Sequence, residues 1–329
     1  MHADPETIRA CVERLRAGGL VAFPTETVYG LGAIATDEDA VRRVFALKGR
    51  PSRNPLIVHV DGEETARRYV RHWPEEAHRL AAAFWPGPLT LVLPRSGVTP
   101  DVVTGGGETV GVRCPDHPLT LALLEALGEG LVGPSANASG GVSPTTAEHV
   151  RDAFGEDEVL TLDGGACRAG IESTVLDLTT RPARVLRPGV IGRAQLAGVL
   201  GEAVEAHEGE AEGDVRSPGL LGPHYAPRAR TRLFTNDGEL EALRVGLGAG
   251  RVVVIAHGKI AAPGGAQVLR LPSSAAGYAA RLYASLREAD AMGPDLIAVE
   301  RPPNGAEDEG ERAIWEAVLE RLTRAADSG

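Results

Sequence analysis

Lysine is nearly missing from this 329-residue chain: of its 34 basic residues only Lys48 and Lys259 are lysines. Arginine carries the positive charge elsewhere, so the lysine kept in "LKGRP" marks a place suited to a compact ammonium rather than a guanidinium. Cysteine is scarce too. Cys11, Cys114 and Cys167 are odd in number, widely spaced and free of any CxxC pair. That argues against a disulfide framework or a zinc site, and for reduced thiols in a cytoplasmic protein. Aromatic residues make up 4% of the chain, few platforms for stacking on bases. No apolar run approaches the roughly 20 residues that cross a bilayer. The first residues, MHADPETIRACVERLRAGG, mix acids with arginines and lack the apolar centre of a secretory signal, so no membrane partner is expected.

Several signatures are also missing. No G-x-x-x-x-G-K-[ST] run occurs, so a P-loop is not the nucleotide grip. No G-x-G-x-x-G follows the first strand, which argues against a dinucleotide fold in the N-terminal half. No G-x-S-x-G elbow occurs, which weighs against an α/β-hydrolase. The net charge of −11 weighs against a protein whose main task is coating nucleic acid.

What is present is alternation. The length suggests about two domains at roughly 150 residues each. Residues 5–17 place Ile8, Cys11, Val12 and Leu15 at helical spacing, and Gly18 and Gly19 stop the helix. Leu20–Phe23 predicts a buried strand. Asp37 is suited to cap a helix through Val41, Val44, Phe45 and Leu47. Strands are expected at PLIVHV, in WPGPLTLVLP, TVGVRCP and LVGPSANASG, and as a closing pair at ESTVLDL and ARVLRPG. Residues 1–200 thus form one α/β domain. Residues 201–230 turn acidic and rich in glycine and proline and read as a linker, although its end, SPGLLGPHYAP, is oddly specific for a spacer. Residues 231–329 resume the alternation as a smaller, doubly wound α/β unit.

In the first domain, strands repeatedly end at polar clusters: Thr25–Thr27, Lys48–Arg50, Asn54 with His59, Thr109 with Arg113, Ser135–Asn137, Ser143, Glu172–Thr174 and Arg187. Sites in open α/β sheets lie in crevices at strand ends. Each cluster alone has a plain structural explanation. A strand-end arginine is usually a solvated charge, His59 in an apolar strand is usually a satisfied core histidine, and the glycines of FPTETVYGLG could simply serve a turn. The number of compatible clusters favours a site for a polyanion such as a nucleoside triphosphate, gripped by Lys48, Arg50, Arg113 and Arg187 among hydroxyl donors.

FPTETVYGLG, LKGRPSRNPLIVHV, WPGPLTLVL, VGVRCPDHP, GPSANASGGVSPT, GIESTVLDL, VLRPG and SPGLLGPHYAP follow one another in that order. Together they resemble the threonylcarbamoyl-AMP synthase family in its long, two-domain form. Motifs cover about residues 5–230. The resemblance implies a twisted open α/β sheet with a deep cationic cavity (YrdC-like), followed by a smaller Rossmann-like α/β domain. It implies a nucleotidyltransferase that converts L-threonine, bicarbonate and ATP to threonylcarbamoyl-AMP and pyrophosphate. The product would pass to a tRNA threonylcarbamoyl-transferase complex, with at most a weak contact to tRNA itself.

Carried over residue by residue, the resemblance assigns Thr25, Thr27, His59, Arg113, Gly133 and Ser173 to L-threonine. Lys48, Arg50, Asn54, Thr109, Ser135, Asn137, Ser143 and Arg187 go to ATP, with Lys48 and Arg50 also offsetting charge on the leaving pyrophosphate. His224 and Tyr225 would belong to a lid folding over the cavity. The family often carries a cation just before this pair, and here that residue is Pro223. Mg2+ would ride on the triphosphate rather than in a protein cage.

Two rivals remain. An RNA-binding module could use the same cations on RNA phosphates, but the net charge and the shortage of aromatics oppose it. A carbamoyl-transfer maturation enzyme would bring zinc-finger cysteine clusters, which this sequence lacks.

Overall fold

A computed structural model describes residues 4–207, 225–261, 266–303 and 305–327. Ten strands make the first sheet: β1 Val21–Phe23, β2 Gly30–Ile34, β3 Ile57–His59, β4 Leu89–Pro94, β5 Thr109–Arg113, β6 Leu131–Val132, β7 Leu160–Thr161, β8 Thr174–Asp177, β9 Arg184–Arg187 and β10 Glu205–Ala206. Their order across this twisted, mixed sheet is β10-β9-β8-β4-β5-β3-β6-β2-β1-β7. Eight helices accompany it: α1 Pro5–Arg16, α2 Glu38–Lys48, α3 Glu63–Tyr69, α4 Glu75–Phe84, α5 Asp101–Thr104, α6 Pro118–Leu127, α7 Ala147–Phe154 and α8 Arg193–Leu200.

Local chemistry explains the helix ends. Asp4 caps α1 by accepting from the Glu6 amide, Pro5 starts the helix, and Ile8, Cys11, Val12 and Leu15 are its buried face. Asp37 accepts from the Ala40 amide at 2.9 Å to cap α2. Gly49, left-handed at φ 61, ends that helix. The turn at Gly49 separates Lys48, the last helical residue, from Arg50.

The glycines of FPTETVYGLG answer to packing rather than to a turn. Gly30 and Gly32 lie in β2, which pairs antiparallel with β1. A Cβ on Gly30 would come within 2.6 Å of the Phe23 ring.

The second sheet is wholly parallel, in the order β11-β14-β12-β13, from β11 Arg230–Phe234, β12 Val252–Ala256, β13 Gln267–Arg270 and β14 Leu296–Glu300. Helices α9 Asp237–Leu247, α10 Ala275–Ala291 and α11 Glu309–Asp327 complete it. The acidic stretch expected as linker from residue 201 begins as part of the first sheet. Gly201 caps α8, and Glu205–Ala206 pair in parallel with Arg184–Val185. Residues 208–224, which hold most of SPGLLGPHYAP and His224, lie outside the described residues.

The two sheets share one apolar cluster. Val28, Val142 and Ile171 of the first unit pack with Tyr225 and with Tyr278, Leu282, Tyr283, Trp315, Val318 and Leu322 of the second. Burying each such side chain contributes about 1.5–3 kcal/mol. Gly170 marks a close backbone approach: it has φ +72, and a Cβ there would stand 2.3 Å from the Ala279 carbonyl oxygen. Only glycine suits that position.

Candidate active site

Sheet register gathers the site. His59 and Arg113 are partners on the neighbouring parallel strands β3 and β5, so both emerge on the same face at the carboxyl ends of those strands. Ser173 immediately precedes β8, Arg187 ends β9, and Val175 pairs with Arg187 across these antiparallel strands. Thr90, near the start of β4, shares a 2.8 Å hydrogen bond with the Ser173 hydroxyl. The result is a partly open cavity with about 60 Å3 of free volume.

Thr25, Thr27, Arg50, His59, Arg113, Gly133, Ser135, Ser173, Arg187 and Tyr225 all line it, together with Glu172, Val28, Gly30, Ile57 and Pro134. These include most of the residues named from sequence. Its lining carries three arginines and one carboxylate.

The turn after β1 links two buried hydroxyls. Thr25 Oγ1 donates to the Val28 carbonyl at 2.7 Å and accepts from the Thr27 and Val28 amides. The Thr25 and Thr27 hydroxyls also lie 2.8 Å apart, a contact in which either oxygen can donate. Thr27 Oγ1 in turn accepts from Arg113 Nη1 at 3.0 Å. Arg113 Nε donates to the Gly87 carbonyl. Its Nη2 stands 2.7 Å from Glu26 Oε1, an ion pair whose atoms do not align as a hydrogen bond. Arg113 is therefore fixed from three sides and still has N–H groups to offer a carboxylate. Glu26, unassigned from sequence although it sits between the two threonines, is the buried countercharge.

His59 lies edge-on to Phe23, with ring centroids 5.3 Å apart. Burial first, then the nearby Arg113 charge, pushes its pKa down to about 3, so the imidazole is neutral. Its Nδ1 has no hydrogen-bond partner among the described residues. Gly133 leaves room for it, since a Cβ there would lie 2.6 Å from that nitrogen.

Arg187 Nε and Nη2 both donate to the Ser173 carbonyl, at 3.1 and 3.0 Å. Arg50 donates to the carbonyls of Asn54 and Pro55. Burial pushes the Arg50 guanidinium down to about 10, with Tyr225 opposing and Arg187 adding to that shift; it stays charged at neutral pH.

Other sequence-named residues stand behind the lining. Lys48 Nζ donates to the Ser135 and Asn137 carbonyls, both at 2.5 Å. Burial lowers its pKa well below the ordinary lysine range, with Arg50 adding to the effect. The lone lysine of the first domain thus fastens the Ser135–Asn137 loop. Asn137 Nδ2 donates to the Ala138 and Gly141 carbonyls, each at 2.8 Å, and Ser143 donates to Glu172 Oε1 at 2.8 Å. Asn54 is buried, and its Oδ1 has no hydrogen-bond partner among the described residues. Thr109 begins β5, four residues or roughly 13 Å along the strand from Arg113. His224 falls outside the described residues.

Tyr225 is buried and adopts φ 65, a left-handed backbone that costs a non-glycine residue roughly 1–2 kcal/mol. The Ala226 amide donates to the Gly140 carbonyl at 3.0 Å, pinning this end of the segment to the first domain.

Comparison with known proteins agrees with this architecture. Residues 13–189 match the protein family described as Telomere recombination. Residues 191–327 match the family described as Threonylcarbamoyl-AMP synthase, C-terminal domain. The chain is 43% identical to the threonylcarbamoyl-AMP synthase of Pyrococcus abyssi over 97% of its own length and 94% of that protein. It is 38% identical to the Bacillus subtilis enzyme of the same name over 98% of its length and 93% of that protein. A crystal structure of the P. abyssi Sua5 protein complexed with L-threonine superposes with a TM-score of 0.91 at 40% identity, covering 100% of this chain and 96% of that one. The chain belongs to the threonylcarbamoyl-AMP synthase family.

Proposed function

We infer that this protein is a nucleotidyltransferase that joins L-threonine, bicarbonate and ATP into threonylcarbamoyl-AMP, releasing pyrophosphate. The observation that carries the reading is the single cavity in which Arg113, held by Thr27 and Glu26, lies beside neutral His59, while Arg50 and Arg187 line the same space. The remaining N–H groups of Arg113 suit the threonine carboxylate. His59 Nδ1 and the Thr27 turn suit its polar groups. The threonine nitrogen, losing a proton, bonds to carbon dioxide derived from bicarbonate and becomes a carbamate. A carbamate oxygen then attacks the α-phosphorus of ATP, and the α–β bridging bond breaks to free pyrophosphate. Arg50 and Arg187 offset the charge that grows on the leaving group. Lys48 holds the Ser135–Asn137 loop against the nucleotide, whereas Asn54 and Ser143 stand behind the lining and Thr109, at the far end of β5 from Arg113, lies outside it. The remaining contribution is orientation, which converts a three-body encounter into a local one.

Magnesium fits as cargo of the nucleotide. Glu172, the carboxylate in the lining, is already engaged by Ser143, Tyr283 and Arg321. When bound, the ion would screen the triphosphate charge. The product would be consumed in tRNA modification by a separate transferase. A cytoplasmic setting accords with three free, buried cysteines and with the finding that no described helix is long and apolar enough to cross a membrane. The RNA-binding alternative is disfavoured because Arg113 and Arg187 are only 4% and 7% exposed, out of reach of a polymer backbone.

The test is pyrophosphate release with each substrate omitted in turn. Release should require L-threonine and bicarbonate and should not require RNA. Equal release without threonine would remove the reading.

A further inference from the structure

Glu172 presents a puzzle in a cavity built for anions. Its carboxylate lines that space, yet the groups that hold it come largely from the second sheet's helices. Tyr283 on α10 donates to Oε2 at 2.9 Å, and Arg321 on α11 donates to the same oxygen through Nε at 3.1 Å. Burial pushes the carboxyl up, but Arg321 first, then Arg187 and the Ser143 hydroxyl, hold it below the usual range. It is ionised, and Arg321 is its main countercharge.

Arg321 is fully buried. Its Nη1 also pairs with Glu320 of the same helix at 3.1 Å. Besides Glu172, Arg321 reaches the Pro188 carbonyl through Nη1 at 2.5 Å. Those two contacts flank a feature already described. Glu172 precedes Ser173 and Pro188 follows Arg187, so Arg321 ties together the two chain segments that carry the Ser173–Arg187 contact. The same guanidinium lies 5.8 Å from the Tyr225 ring centroid. Tyr225 stacks on Tyr283 with centroids 5.6 Å apart and planes at 22°.

We propose that Arg321, supported by Tyr283, is a positioning residue for the adenylylation step, supplied to the active site by the C-terminal unit. It neutralises Glu172 so that the cavity stays attractive to the triphosphate. It also fixes Arg187 through Pro188 and supports the left-handed Tyr225 where the linker returns. Without Arg321, Glu172 is a buried charge whose nearest cationic recourse is Arg187, the group needed on the nucleotide. This rests on the reading of the cavity as the ATP site.

The experiment measures pyrophosphate release in full-length protein, varying ATP at saturating threonine and bicarbonate, for Arg321→Met, Arg321→Lys, Glu172→Gln/Arg321→Met and Tyr283→Phe. Folded fractions are matched by calorimetry. Arg321→Met should raise the KM for ATP at least tenfold with kcat changed far less. The double variant should recover most of that loss, and Arg321→Lys should fall between. A purely structural role would lower the active fraction, and so kcat, with KM unmoved. Should Arg321→Met fail to fold, Tyr283→Phe keeps the ring stack, loses one bond to Glu172, and should raise the KM two- to fivefold. An unchanged KM for ATP in folded Arg321→Met and Tyr283→Phe, or a double variant no better than Arg321→Met, overturns the proposal. Absence of threonine-dependent release in the wild-type protein would instead overturn the underlying assignment.

Discussion

Arg187 and Ser173 are joined twice over: the guanidinium bonds the serine carbonyl through Nε and Nη2, and Nη2 also reaches the serine hydroxyl at 3.1 Å. Planar, multidentate contact of this kind is what arginine supplies and lysine does not. Arg187→Lys should therefore keep a positive charge in the cavity and still weaken ATP binding. Charge-assisted hydrogen bonds contribute about 1.5–3 kcal/mol each, so calorimetric titration should show roughly ten- to hundredfold weaker affinity. Unchanged affinity would place Arg187 outside the nucleotide contacts.

Removing Arg113 should have two separable effects. Threonine affinity should drop roughly tenfold or more, because the carboxylate fork is gone. Stability should also fall, by about 3–5 kcal/mol, because Glu26 is left as a buried, uncompensated charge. Adding Glu26→Gln to Arg113→Ala should restore the urea midpoint and leave threonine binding weak. If the double variant recovers threonine binding as well, Arg113 acts on the fold and not on the substrate.

Much of this site was legible in the sequence, for a physical reason. Thr25, Thr27, His59, Arg113, Ser173 and Arg187 sit where strands end, and strand ends of one sheet converge in space. Lys48 shows the limit: its rarity drew notice, but rarity does not say that its nitrogen faces two carbonyls of the Ser135–Asn137 loop. The glycines of β2 read as a turn because nothing local reveals that the Phe23 ring lies across them. Arg321 and Tyr283 were invisible for a different reason. Each looks like one more member of an amphipathic helix, and the Arg321–Glu172 contact closes over 149 residues of chain.

The depressed pKa of His59 makes stability depend on pH. In the unfolded chain the imidazole takes up a proton near pH 6.5, whereas in the folded protein it does so only near about 3. Its contribution is complete above about pH 6.5 and is lost as pH falls toward 3, at about 1.4 kcal/mol per pH unit. Urea unfolding between pH 7 and pH 4 should show a slope that His59→Gln reduces by about one proton. An unaltered slope in the variant would mean that His59 titrates normally.

Gly133 tests the shape of the threonine end. Alanine there would force its Cβ to within 2.6 Å of both His59 Nδ1 and the Phe23 ring, so the imidazole or the ring must shift. Gly133→Ala should fold, with a lowered melting temperature, and bind L-threonine at least tenfold more weakly. Its ATP affinity should change much less. Equal loss for both ligands would mean that the substitution collapses the whole cavity.

The central claim is tested most directly by mass spectrometry of the reaction mixture with isotope-labelled bicarbonate, ATP and L-threonine, and no RNA. The account predicts a single new nucleotide adduct that carries the labelled carbon and the threonine, formed in step with pyrophosphate and absent when any of the three substrates is withheld. ATP consumption without label in a nucleotide product, or the same adduct formed without bicarbonate, would contradict it.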